Sequence, residues 1–310
     1  MRRTLKYILI LALIAGGAVF CIIRWQAWFG MPTEHKWTGD TIDYVIPYPS
    51  GDSIHTFLIL GDIHSQLMQA DFDTLAARVP DADAVVQVGD WLERGYTYYQ
   101  QLFLREWTHS ALYGLPVITC PGNHEYVKGV RKRLSDIWMN TFDHPHNGPA
   151  GVPGASYYVD LPSVRFIVID TNPLARMVHF TRTLTWIRQT MNDAQGKFIV
   201  VLMHHPVLSV AKGRCNPLVY AAFRHALGDA DLVIAGHDHS YMRRTPFVVL
   251  NTAGKAKAQR PLPLAQSTDS VPVYGVLKIS DLQSPVSNLQ FSVYRLDDAT
   301  LIDSLYVNHD

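Results

Sequence analysis

The chain has 310 residues, 48% of them hydrophobic and 17% charged. That length holds one large domain or two small ones, and the composition excludes a disordered chain, which would be poor in apolar residues and rich in net charge. The 27 basic and 27 acidic residues cancel, which argues against a general nucleic-acid coat protein, and three cysteines are too few for the disulfide framework of a small secreted fold.

Tyr7 to Ile23 is a run of 17 uncharged residues, at the short end of what spans a bilayer. Arg2, Arg3 and Lys6 precede it and only Arg24 follows closely. This bias predicts a cytoplasmic N-terminus and a body on the periplasmic or extracellular side of the membrane. A cleaved signal peptide competes, with Ala15 and Gly17 near a cut. The apolar run continues from Ala18 to Ile23, which favours an uncleaved signal-anchor. The expected organisation is an anchor over 1–24, with its transmembrane helix over 7–23, a tether over 25–52, and one folded domain over 53–310. Trp25, Trp28 and Phe29 in the tether suit a membrane–water interface or pack on the domain.

In the body, short apolar runs recur and each ends in polar residues. Thr56–Leu60 leads into Gly61-Asp62-Ile63-His64, Ala84–Val88 into Gly89-Asp90, and Pro116–Thr119 into Gly122-Asn123-His124-Glu125. Phe198–Met203 leads into His204-His205, and Leu232–Ala235 into Gly236-His237-Asp238-His239. Runs of 4 to 6 residues suit buried strands. Helix-like stretches lie between them at 68–78, 97–111, 131–141, 181–193 and 218–226. The alternation predicts α/β layers, with the ligand site beyond the C-terminal ends of the strands. Residues 158–169 read as further strands. Residues 273–279, 288–295 and 301–307 alternate apolar and polar as half-exposed antiparallel strands do, and 255–272 reads as a mobile loop. No internal repeat interrupts this pattern.

A lone Asp or His at a strand end is more often a cap or a surface group. Five strand ends that together offer two carboxylates, one amide and four imidazoles are a different matter. Gly122 lets the backbone turn sharply before Asn123 and His124. Hard oxygen and borderline nitrogen donors in this mixture suit Mn, Fe or Zn rather than calcium or a sulfur-ligated structural zinc.

The motifs GDIH (61–64), GDWLERG (89–95), GNHE (122–125), MHH (203–205) and GHDH (236–239) resemble, in order and spacing, those of the calcineurin-like metallophosphoesterases. The resemblance runs from about residue 54 to the C-terminus. It implies an αββα sandwich of two sheets with two metal ions at the strand ends, one held by Asp62, His64 and His239, the other by Asn123, His204 and His237, with Asp90 bridging. Two cations ~4 Å apart would clamp phosphate oxygens and acidify a bridging water, whose hydroxide attacks phosphorus in line with the leaving group. His124 would stabilise charge or protonate the leaving oxygen. The segment GDWLERG is also similar to the phosphoprotein-phosphatase branch, whose motif has Asp where this chain has Glu93. By that likeness Glu93 is a candidate partner for His124 and Arg94 a candidate bidentate phosphate clamp. An exposed Glu–Arg pair at a helix start is the competing reading. Purple acid phosphatases carry a metal-binding Tyr three positions after the bridging Asp; Glu93 stands there, so no iron–tyrosinate chromophore is expected.

Other residues are set aside. His205 and Asp238 are expected to face away from the ligands by strand alternation. Cys120 reads as a small buried hydrophobe, although an exported domain would permit a Cys120–Cys215 disulfide. His144 and His146 fit a loop better than a substrate lid, and Tyr96, Tyr98 and Tyr99 either frame a substrate mouth or pack a helix. The resulting expectation is a membrane-anchored, metal-dependent hydrolase of a phosphate ester, with lipid-linked substrates within reach of the tether. A phosphodiesterase, pyrophosphatase or nuclease on the same scaffold and a non-catalytic metal-dependent binding module are the alternatives. No nucleic-acid partner is expected, because the chain offers no basic track with stacking aromatics.

Overall fold

The structure, a computed structural model, describes residues 7, 13–18, 42–46, 54–95, 97–127, 133–151, 155–173, 179–194, 196–211, 217–259, 265–280 and 288–308. Most of the expected anchor and tether lies outside these residues. Among the described residues no helix is long and apolar enough to cross a membrane.

In chain order the elements are β1 (Ile54–Leu60), α1 (Gln69–Arg78), β2 (Ala84–Gln87), α2 (Thr97–Thr108), β3 (Val117–Thr119), β4 (Tyr126–Val127), β5 (Arg133–Leu134) and α3 (Asp136–Thr141). There follow β6 (Tyr157–Asp160), β7 (Val164–Ile169), α4 (Phe180–Asn192), β8 (Phe198–Met203), α5 (Pro217–Ala226), β9 (Leu232–Ala235), β10 (Tyr241–Arg244) and β11 (Phe247–Val249). The last four are β12 (Ser267–Asp269), β13 (Val273–Ser280), β14 (Asn288–Arg295) and β15 (Leu301–Asn308). A six-stranded sheet has the order β15-β14-β13-β1-β2-β3, and a seven-stranded sheet the order β12-β10-β11-β9-β8-β7-β6.

The apolar runs are continuous because both faces of these strands are covered. Phe57 and Ile59 of β1 turn into the layer between the sheets, while Leu58 and Leu60 turn outward against α1 and α2, where Phe72, Leu75, Phe103 and Trp107 meet them. In the second sheet Val200 and Leu202 face inward, and Val201 and Met203 face the helical layer that contains Ile187 and Phe223. Phe57 and Phe166 meet edge to face across the two sheets, their centroids 4.9 Å apart. The result is helix, sheet, sheet, helix, the αββα layering that the motifs imply. A polar pin also joins the sheets: Arg243 on β10 grips Asp303 on β15 through Nε at 2.7 Å and Nη2 at 2.9 Å, and Tyr241 Oη donates to the same carboxylate at 2.7 Å.

Two local expectations change, and one hairpin is new. The helix expected from 131 begins only at Asp136, because Tyr126–Val127 and Arg133–Leu134 pair as an antiparallel hairpin. The stretch 255–272 is not simply a loop: Ser267–Asp269 pairs with β10, and Gln259 bridges to Ala211. The β10–β11 hairpin was hidden by its short runs, only four and three residues long.

Candidate functional site

β1, β2 and β3 run parallel in one sheet, and β7, β8, β9 and β11 run parallel in the other. The loops after β1, β2, β3, β8 and β9 are bonded to one another at one edge of the sandwich. The main-chain N–H groups of Ile63 and His64 both donate to the Asp90 carbonyl at 2.9 Å, and that of Gly236 donates to the His204 carbonyl at 3.0 Å. His237 N donates to both oxygens of Asp62, at 2.8 and 3.1 Å, and His124 N donates to Asp90 Oδ1 at 2.9 Å. The turns are costly for the residues that make them: His64, Ser65, Asp90, His237 and His239 all have φ between 51° and 71°. Left-handed backbone at non-glycine residues costs of order 1–3 kcal/mol each and concentrates where function requires a particular aim.

The side chains form two lobes that share Asp90. In the first, His64 Nε2 lies 3.0 Å from His239 Nε2, and Asp62 Oδ1 lies 3.8 and 3.4 Å from these two nitrogens. In the second, His204 Nε2 lies 3.2 Å from His237 Nδ1 and 3.3 Å from Asn123 Oδ1. Asp90 Oδ2 is 3.7 Å from His64 Nε2 and 3.2 Å from His204 Nε2, and 4.0 Å from His124 Nε2. All seven residues expected to ligate metal are therefore brought into one cluster, five of them buried.

The chemistry of this donor set fits two cations. His239 Nδ1 points to the Lys255 carbonyl at 2.7 Å and His204 Nδ1 to the Val88 carbonyl at 2.9 Å. A carbonyl only accepts, so each outer nitrogen carries a proton and each inner Nε2 is the nitrogen that faces the cluster as a candidate ligand. Burial pushes His64 down to about 3, against the pull of Asp90, so its imidazole is neutral at pH 7. Burial pushes Asp62 up to about 7, opposed by His204. Burial acts on Asp90 too, yet the charge and hydrogen bond of His204, with His124 and His64 behind it, hold its carboxyl well below the ordinary range. His204 rises to about 9, because the Asp90 carboxylate outweighs the burial that would lower it. The proton between His204 Nε2 and Asp90 is what a bound cation would displace.

Glu125, the last letter of GNHE, is the organising residue that the sequence reading left without a role. It is fully buried, and its carboxylate accepts from Asp90 N at 2.9 Å, Gly122 N at 2.7 Å and Leu92 N at 3.0 Å. It thus ties the loops after β2 and β3 together, and burial pushes it up to about 7, Asp90 adding to the rise. The segment after β11 was missed as well. Ala253 and Gly254 donate main-chain N–H groups to the Asp62 carbonyl at 2.9 Å, and Lys257 Nζ donates to the His237 carbonyl at 3.0 Å. Backbone contacts of this kind leave no sequence signature.

Other expectations resolve individually. His205 does not face away. β8 ends at Met203, so strand alternation no longer applies, and the ring lies 4.4 Å from that of His237, with Nδ1 2.7 Å from Thr171 Oγ1. Asp238 does turn away, accepting from Ser209 Oγ at 3.0 Å and Val210 N at 2.7 Å. The expected pairing of the Glu93 carboxylate with His124 is corrected: His124 Nδ1 meets the main-chain carbonyl of Glu93, while the carboxylate lies 3.4 Å from His64 Nδ1. The carboxylate stays within 4.8 Å of a ring nitrogen of each of these two histidines but makes its ion-pair contact with His64. Arg94 is exposed on this segment, and no ion pair reaches it among the described residues. Cys120 is a buried free thiol pushed up by burial, and Cys215 lies outside the described residues, as does Tyr96. His144 packs between Trp138 and Tyr157, at 5.5 and 5.4 Å, as a loop residue.

Comparison with solved structures shows the same fold elsewhere. The purple acid phosphatase PPD1 from yellow lupin (Lupinus luteus) seeds superposes with a TM-score of 0.68 at 17% identity, covering 85% of this chain and 55% of that one. The chain therefore spans about 55% of the length of the lupin protein. GAP50, the anchor in the inner membrane complex of Plasmodium, superposes with a TM-score of 0.56 at 15% identity, covering 83% of this chain and 89% of that one. No curated protein matches the chain in sequence. A model of the calcineurin-like phosphoesterase family matches residues 55–241, a span that is well over half of the chain and contains the whole cluster, and on that match the chain belongs to the calcineurin-like phosphoesterase family.

Proposed function

We propose that the chain is a two-metal phosphoesterase that hydrolyses a phosphate ester, carried on an exported domain and tethered by its N-terminal segment to the membrane. What supports the metal reading is the position of Asp90, whose Oδ2 lies within 3.7 Å of an inner histidine nitrogen in each lobe. Asp62, His64 and His239 would hold one ion, Asn123, His204 and His237 the other, and Asp90 would bridge them. Two such ions would supply Lewis acidity toward phosphate oxygens and bring the pKa of water close to neutrality. The protein's own part is positional and protic. His124 is half-exposed, stands 4.0 Å from Asp90 Oδ2, and has its Nδ1 fixed by the Glu93 carbonyl, so its Nε2 is the atom that stabilises or protonates the leaving oxygen. Arg94, exposed on the segment whose Glu93 carbonyl meets this histidine, would clamp non-bridging oxygens in bidentate fashion. The tether reading rests on the uncharged run 7–23 and the basic residues before it, and it brings lipid-linked phosphates within reach.

The test is bound metal per chain together with hydrolysis of a chromogenic phosphate monoester against the matching diester, on one preparation. Two metals with monoester turnover supports a phosphatase that uses Arg94; diester preference supports a phosphodiesterase on the same residues. Failure to load metal under any condition would sink the proposal.

A further inference from the structure

Three imidazoles turn Nε2 into the cluster, and in each the outer nitrogen Nδ1 decides the tautomer and the aim of the ring. For His204 and His239 a main-chain carbonyl does this, at 2.9 and 2.7 Å. His64 breaks the pattern. Its Nδ1 is buried and makes no hydrogen bond of standard geometry among the described residues, and a carboxylate oxygen, Oε2 of Glu93, lies 3.4 Å from it. The His64 side chain is 3% exposed and that of Glu93 39% exposed, so the carboxylate reaches in from the rim. It is not needed at His124, whose Nδ1 has the Glu93 main-chain carbonyl. Glu93 N in turn donates to Ser65 Oγ at 3.3 Å, which ties residue 93 to the loop that carries His64.

We infer that Glu93 is a positioning residue for His64: with the lobe loaded, its carboxylate takes a hydrogen bond from Nδ1–H, fixes Nε2 as the ligating nitrogen, and so sets the affinity of the lobe formed by Asp62, His64 and His239 while leaving the other lobe alone. This rests on the two-metal reading above. A carboxylate behind a ligating histidine holds the ring's orientation and raises its basicity, and losing such a partner costs 10–100-fold in metal affinity. Main-chain carbonyls behind His204 and His239 are dipoles; a full negative charge behind His64 makes this lobe the one most sensitive to a side-chain substitution outside the ligand set.

The experiment is Zn²⁺ binding to the full-length chain, stripped of metal and titrated against a competing chelator, for wild type, Glu93→Ala, Glu93→Gln and Glu93→Asp, with nitrogen NMR of the histidines in the loaded state. Glu93→Ala is expected to weaken one Zn²⁺ equivalent by 10–100-fold and leave the other within about twofold. Glu93→Gln should lose less, because its amide oxygen still accepts from Nδ1–H, and Glu93→Asp should fall between Gln and Ala. His64 should show Nδ1–H with a metal-bound Nε2 in wild type. Unchanged binding of both equivalents in Glu93→Ala would overturn the inference, as would equal weakening of both together with a lower melting temperature, the signature of a merely structural role. Wild-type protein that takes up no Zn²⁺ would instead fell the two-metal reading, and this inference with it.

Discussion

Gly122→Ala tests the site through a single methyl group. A Cβ at this position would stand 2.0 Å from Asp90 Oδ1, 2.3 Å from Asp90 N and 2.8 Å from Asp90 Cγ, whereas real Cβ contacts essentially never fall below 3.0 Å. Gly122 has no positive φ, so the backbone accepts alanine and the whole cost lies in this contact. Asp90 has little freedom to yield: its N–H is held by Glu125 and its Oδ1 by His124 N, each at 2.9 Å. Relief requires roughly 1 Å of movement at Asp90 or in the 120–123 turn. Overpacking of this kind costs about 1–3 kcal/mol, or roughly 2–10 °C in melting temperature for a domain of this size. A displacement of about 1 Å at the carboxylate shared by both lobes is expected to lower turnover by about 10²-fold and to weaken both metals together. The assay pairs thermal melting with metal content and phosphoester turnover. Gly114→Ala is the control, because that residue has φ +97° and an open space where the methyl would go; it should cost stability alone. Gly122→Ala protein that melts, binds metal and turns over as wild type would refute the claim that close approach at Asp90 builds the site.

Asp90→Asn is expected to abolish activity through loss of metal from both lobes; retained activity at full metal content would refute the bridging assignment. His124→Ala should keep both metals but lower turnover by about 10²–10⁴-fold, and a loss of metal in this variant would mean that His124 ligates. Asp303→Asn should destabilise the sandwich by about 1.5–3 kcal/mol, the range for hydrogen bonds to a charged group. Burial would raise the Asp303 carboxyl, but Arg243 and Tyr241 hold it below its ordinary value, so the native state binds fewer protons than the unfolded state as pH falls. The stability it contributes is therefore present above the ordinary carboxylate pKa and is lost below it, and denaturation of Asp303→Asn should depend less on pH in that range than wild type does. A reporter fused after Asp310 should register an exported location; a cytoplasmic signal would refute the proposed topology.

Much of the architecture was legible because the strands at the centre of both sheets are buried on two faces. Leu58 and Ile59 are adjacent in sequence, yet each meets a different apolar layer, so the run reads as unbroken hydrophobicity followed by an abrupt polar end. That abrupt end is also where the site begins, which is why Asp62, Asp90, Asn123, His204 and His237 could be named from the sequence. What was not legible was held by the main chain or lay past the end of regular structure. Alternation excluded His205 only because it was carried past Met203, where the strand ends. Glu125 acts by accepting three N–H groups, two of them from a loop more than thirty residues away in sequence. The carboxylate and carbonyl of Glu93 serve different histidines, and no pattern of residue types distinguishes that from the single pairing expected by likeness.

The cluster and the frame around it make opposite demands. Four of its ligand candidates adopt left-handed backbone, and two other buried acids, Asp62 and Glu125, each lie within electrostatic reach of Asp90. Each feature opposes folding: the turns cost about 1–3 kcal/mol apiece, and neighbouring buried carboxylates cannot all ionise cheaply. Burial and Asp90 push Glu125 up to about 7, so near neutral pH it can hold a proton and relieve part of the repulsion, while His204 offsets Asp90. The rest of the cost must be met away from the site. The double-faced strands do this by supplying apolar burial that depends on no residue of the cluster, and the Arg243–Asp303 pin joins the two sheets through strands that carry none of its ligands. That separation lets the loop residues be selected for aim rather than for stability. It also explains why the tolerances are uneven: substitutions in the strands should act on melting temperature, whereas one methyl group at Gly122 or one carboxylate at Glu93 should act on metal affinity first.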